Sequence, residues 1–183
     1  MSEVSDRYGT IAEGFDARVR GVGADRWSCL SPCEEWTARD IAVHVINTHR
    51  RVRSVLGDVE FEEVGPDEDV AAQWTAGSEA IAAALDDDAL ASKIVSGMFG
   101  EQSFDSLVGR LLCADTLIHT WDLARATGQD DRLDQEAVVK ALKFLTPIDE
   151  AIRRPGGFGP RIEAPEGADA QAMLLAFAGR AGW

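Results

Sequence analysis

Lysine is scarce in this sequence: Lys93, Lys140 and Lys143 are the only three. Lys and Arg together number 18 against 32 Asp and Glu, a net charge of -14. A surface that acidic repels phosphate backbones and anionic lipid, so neither nucleic acid nor a membrane is an expected partner. Long apolar runs are also missing. The longest pieces, such as Ala80 to Leu85 and Ala172 to Ala178, fall far short of the ~20 residues that span a bilayer. The opening MSEVSDRYGT carries early acids and no apolar stretch of signal type, which predicts a cytoplasmic protein. Cysteine is sparse and odd in number: Cys29, Cys33 and Cys113 read as reduced thiols rather than a disulfide framework.

What is present is globular composition. The 183 residues are 45% hydrophobic and 27% charged, enough for a sizeable core and for one domain spanning residues 1–183. Apolar residues recur at helical spacing. Tyr8, Ile11, Phe15 and Val19 mark a first helix over 4–19. Thr37 and Asp40 form a capping-box variant opening a second helix, whose stripe is Ile41, Val45, Thr48 and Val52, with Gly57 as its stop. Val70, Trp74, Ile81 and Leu85 mark a third over 67–85, after an acidic loop. The longest runs over 105–127 and ends at Gly128. A fifth follows Asp134, with Pro147 set to interrupt it, and a short last one covers 169–177. Lys93 to Phe104, with apolar pairs Ile94-Val95 and Met98-Phe99 between glycines, reads as a small hairpin or an irregular crossover. Arg154 to Pro165 reads as a loop rich in Pro and Gly. The class is all-α, a helical bundle with a long middle crossover.

Three histidines exist, so each can be weighed. His44 lies beside the Ile41/Val45 stripe. His49, some 140° round the helix and followed by Arg50-Arg51, reads as a surface residue. Asp115 and His119 stand i, i+4 on one helical face, and Asp122 extends the row. This row has two readings. One is a helix-surface hydrogen bond. The other is a divalent metal site shared with His44 from a facing helix, since two imidazoles and a carboxylate are the donor set of an open catalytic metal centre. A non-haem iron centre uses the same ligand types. Cys33, beside a helix entry, is either a thiol of lowered pKa or a buried inert one. Trp36, Trp74 and Trp121 are candidate pocket walls.

Three blocks, SPCEEWTARDIAVHV (Ser31 to Val45), DTLIHTWDLARATGQD (Asp115 to Asp130) and AMLLAFAGR (Ala172 to Arg180), resemble the DinB-like metalloprotein superfamily. The closer resemblance is to its actinobacterial branch, which includes the N-terminal domain of mycothiol-dependent maleylpyruvate isomerase. The resemblance implies a four-helix bundle in up-down-down-up order with a few additional short helices. It implies a divalent ion, zinc or nickel, held by His44, Asp115 and His119. Asp115 stands where the isomerase pattern has Glu, and Asp122 becomes a reserve ligand or a partner of one. The isomerase also has a C-terminal domain that this chain, ending at Trp183, lacks, so maleylpyruvate isomerisation itself is not carried over. What the resemblance implies is a metal-dependent thiol S-transferase or isomerase using mycothiol on a small electrophile; a homodimer is one open state of assembly. The alternative is a non-catalytic metal- or ligand-binding module.

Overall fold

Local rules place the helices. The computed structural model describes residues 2–97, 100–153 and 158–180. In chain order it forms α1 (Glu3–Gly21), α2 (Ala38–Ser54), α3 (Val70–Asp86) and the single turn α4 (Asp88–Ala91). A hairpin of β1 (Ile94–Gly97) and β2 (Gly100–Ser103) follows, paired antiparallel with Ile94 opposite Ser103. Then come α5 (Phe104–Leu107), a π-helical turn over Val108–Leu112, and α6 (Cys113–Thr127). The chain continues with α7 (Gln135–Leu145), a 3-10 turn at Thr146–Ile148, α8 (Asp149–Ile152) and α9 (Ala170–Phe177). The hairpin alternative for Lys93 to Phe104 is therefore the one adopted. Its Met98-Phe99 pair lies outside the described residues, as do Arg154 to Gly157 of the expected loop.

Thr37 caps α2 as expected: its hydroxyl accepts from the Asp40 amide, and the Asp40 carboxylate accepts from the Thr37 amide at 2.8 Å. Gly128 closes α6 in the left-handed region (φ 73°), letting the Gln129 amide reach back to the Ala124 carbonyl. The 3-10 turn at Pro147 interrupts the fifth helix as its missing amide requires. The expected long helix is one axis with a π turn inside it. Gly109 sits in that turn, against α1: a Cβ there would meet Arg7 Nη2 at 2.8 Å.

The bundle is built from α1, α2, α3 and the α5–α6 axis, and side-chain contacts fix its directions. Ser5 bonds Asp86 and Arg20 bonds Thr75, so α1 and α3 are antiparallel. Arg39 reaches the Glu68 carbonyl and Arg50 reaches Gln73, so α2 and α3 run together. Arg7 bonds the Gly109 carbonyl while Gln129 bonds the Arg18 carbonyl, so α1 and α6 are parallel. That is the up-down-down-up order of a DinB-like bundle. Tyr8, Ile11, Phe15, Val19, Ile41, Val45, Trp74, Ile81 and Leu123 fill its core. Among the described residues no helix is long and apolar enough to cross a membrane.

Thr37 is the cap of the helix that carries His44. Thr37→Ala is expected to lower the unfolding free energy by about 1 kcal/mol, read from the urea midpoint at unchanged slope. A midpoint that does not move would show that the cap is redundant.

Candidate metal centre

Helix α6 sets Asp115 and His119 one turn apart on one face, and antiparallel α2 brings His44 to meet them. His44 Nε2 lies 3.2 Å from Asp115 Oδ1, and His119 Nε2 lies 3.7 Å from the same oxygen. The two imidazole centroids are 4.8 Å apart. One donor atom from each of His44, Asp115 and His119 falls within 4.8 Å of the others. The second carboxylate oxygen, Asp115 Oδ2, is buried and has no hydrogen-bond partner. An unpaired buried carboxylate oxygen is costly, and a cation is the group that would engage it. The residues present therefore fit a divalent ion. The side chain of His44 is about 36% exposed and opens the site to solvent, whereas those of Asp115 and His119 are largely withdrawn.

Burial alone would lower the pKa of His44, but the hydrogen bond and charge of Asp115 outweigh it and raise that pKa. Burial likewise works against the charged form of Asp115, and the His44 bond with the charges of both imidazoles brings its pKa below the ordinary value. His44 and Asp115 thus each favour the charged form of the other.

Behind His119 stands Asp122, fully buried. Its Oδ2 is 2.8 Å from His119 Nδ1. Arg180, just beyond α9, donates to Oδ1 at 2.8 Å and to Oδ2 at 2.7 Å. Burial opposes the charge of Asp122, yet these bonds from His119 and Arg180 hold its pKa down to about 2. An ionised carboxylate only accepts, so His119 Nδ1 carries a hydrogen toward Asp122, and Nε2 is the ring nitrogen that faces Asp115. Of the two roles open to Asp122, the structure gives it that of partner to a histidine. The Arg180 contact left no local signal in the sequence; only the third resembling block contained it.

Cys33 Sγ donates to Asp122 Oδ2 at 3.3 Å and accepts from Arg180 at 3.0 Å. Burial first, and then the Asp122 charge, push this thiol up to about 12. It is the inert alternative of the two. Cys33, His119 and Asp122 also cluster within donor reach of one another, but the Arg180 guanidinium already supplies the positive charge there.

Trp36 lies over the site, its ring 4.9 Å from His44 and nearly parallel to His119 at 6.0 Å. Trp74 does not line it: it is a core residue packed edge-on against Phe15 and His49. Trp121 is also buried in the core.

The expectation for His49 is corrected. It is fully buried, not on the surface, lying between Tyr8 and Trp74. The reason is that α2 packs against both α3 and α6, so its buried arc is wider than one stripe. The signal was available: His49 stands four residues after Val45 and three before Val52. Its Nδ1 bonds the Val45 carbonyl at 2.8 Å, and its Nε2 is buried without a partner.

The model of the family described as "Mycothiol maleylpyruvate isomerase N-terminal domain" matches residues 8–124. The chain belongs to this family. The match covers His44, Asp115, His119 and Asp122 and stops before Arg180. Two relatives, both uncharacterized proteins of Mycobacterium tuberculosis (strains CDC 1551 / Oshkosh and ATCC 25618 / H37Rv), are 33% identical over 172 residues, 92% of this chain and 92% of each relative. No solved structure matches the chain.

Burial lowers the pKa of His49 to about 4, against the weaker opposing effects of the Val45 carbonyl and the Asp115 charge. Between that value and the ordinary ~6.5 the unfolded chain binds the proton and the folded one does not. Stability from this residue is therefore complete above ~6.5 and is lost as pH falls toward 4, by about 3 kcal/mol in all. His49→Phe is expected to flatten the stability profile between pH 6.5 and 4 in denaturant titrations. An equally steep profile in the variant would place the acid sensitivity elsewhere.

Proposed function

We propose that this protein binds a divalent metal ion through His44, Asp115 and His119 and uses it as a thiol S-transferase or isomerase, with mycothiol as co-substrate and a small electrophile as acceptor. The observation that carries the reading is the convergence of two imidazole nitrogens on a carboxylate whose other oxygen is buried and unpartnered, in a chain of a mycothiol-related family. A divalent ion with an open position supplies a place where a low-molecular-weight thiol is held as thiolate at neutral pH. The protein's own groups do the rest. Asp122 fixes the His119 tautomer so that its Nε2 lone pair is free to coordinate. Trp36 walls the site beside the exposed edge of His44. Cys33 is held protonated against Asp122, so this thiol is not the reacting one. Zinc and nickel both suit the two-imidazole, one-carboxylate set.

Metal titration of single variants tests the ligand set. His44→Ala and His119→Ala are expected to abolish tight binding, and Asp115→Asn to weaken it strongly. Arg180→Met, which leaves the buried Asp122 without its guanidinium partner, is expected to weaken binding by about 10- to 100-fold, the usual range for a group that orients a ligand. Because Asp115 raises the His44 pKa, proton competition should begin above the ordinary ~6.5, and affinity should fall steadily from pH 8 to pH 5.5. Flat affinity over that span would remove the histidines from the site.

The reaction is tested on metal-loaded protein with mycothiol and a chromogenic aryl halide. Conjugation that requires both metal and thiol, and that fails in His44→Ala, is the expected result. Tight metal binding without turnover over a panel of electrophiles would replace the enzyme with a binding module.

A further inference from the structure

On the far side of α6 from His44, the first turns of α1, the π turn and α7 enclose a groove of about 440 Å³. Its walls combine two chemistries. Val4, Ala114, Ala137, Ala141 and Phe144 supply apolar surface, while Arg7, Arg110, Lys140 and Lys143 stand around it. Four cations, including two of only three lysines, thus meet at one groove of a chain whose net charge is -14.

The acids nearby do not match them. Glu3 contacts both Arg7 and Lys140, and Glu136 contacts Lys140, but both carboxylates are mostly exposed, at 74% and 78%. Arg110 is directed to neutral groups, the Gln102 amide oxygen and the face of Phe144. Clustered cations beside low-dielectric walls focus a positive potential into the groove. The volume is that of a small-molecule site, where apolar walls hold the body of a ligand and a few charged groups fix its orientation. The backbone is also specialised here. The π turn carries Gly109 and Arg110 into the groove, and π turns recur at functional sites.

We propose that this groove binds a small amphipathic anion, with its carboxylate or similar head among Arg7, Arg110, Lys140 and Lys143 and its apolar body along Ala137, Ala141 and Phe144. The Glu3 carboxylate, already held by Arg7 and Lys140, occupies the position of the ligand's head and competes with it. The site is separate from the His44–Asp115–His119 cluster and does not depend on the metal-binding reading.

Octanoate serves as the probe, followed by calorimetry and by amide chemical shifts of the full chain. Saturable binding is expected, with shifts centred on Gly109, Ala114 and Ala141. Octylamine, with the same tail and opposite charge, and inorganic phosphate, with no tail, should bind at least about tenfold more weakly. The double charge reversal of Arg110→Glu with Lys143→Glu, both exposed positions, should cost tenfold or more, whereas Glu3→Gln should tighten octanoate several-fold by removing the internal competitor. His44→Ala should leave octanoate binding unchanged. No binding of octanoate, equal binding of octylamine, shifts centred elsewhere, or indifference to the charge reversal would overturn the proposal.

Discussion

The burial of one carboxylate, Asp122, organises the functional half of the molecule. A charge withdrawn wholly from water persists only where partners replace its hydration. Asp122 takes them from three separate segments: His119 on its own helix, Arg180 after α9 and Cys33 in the loop before α2. The cost of burying the charge is thereby converted into tertiary definition. The end of the described chain and the α1–α2 loop are pinned to the same point, and the imidazole between them has a single tautomer. Breaking such a buried pair from one side typically costs about 3–5 kcal/mol, so the arrangement is not free to drift.

His119 divides two acceptor-rich clusters, and their different charge balance decides their chemistry. On its Nδ1 side, Asp122 is neutralised by a guanidinium built into the fold. On its Nε2 side, Asp115 has the two imidazoles within 3.7 Å and keeps one buried oxygen unpaired. The first cluster is complete without an ion. The second retains a buried carboxylate oxygen that nothing among the described residues engages. Cys33 belongs to the complete cluster, which is why its thiol is suppressed although it lies close to the centre.

Much of this was legible in the sequence because it is set by local rules. Periodicity placed the helices, the Thr37/Asp40 box and Gly128 fixed two of their ends, and Pro147 marked a break. The i, i+4 spacing put Asp115 and His119 on one face. What was not legible depends on neighbours across the bundle. His49 was misplaced because its flanking arginines suggested solvent, while α3 and α6 together bury a broader arc of α2. Trp74 was drawn to the site as an aromatic and is needed instead beside Phe15 and His49. The π turn lies where α1 approaches Gly109, a contact that no one-dimensional pattern contains.

The substitution of Asp for the Glu of the isomerase pattern shows how far packing can absorb a shorter side chain. One methylene removes about 1.5 Å of reach, which would strand a carboxylate on a fixed helix. Here Asp115 still lies within hydrogen-bond distance of His44 and one turn from His119. It stands between α2 and α6, with its second oxygen buried and without a hydrogen-bond partner. A carboxylate oxygen withdrawn from water in this way interacts with a neighbouring imidazole more strongly than it would at an open surface. The donor groups of His44, Asp115 and His119 thus stay within reach of one another around the shorter side chain, and its hydrogen bond and charge are strong enough to raise the pKa of His44 against the effect of burial.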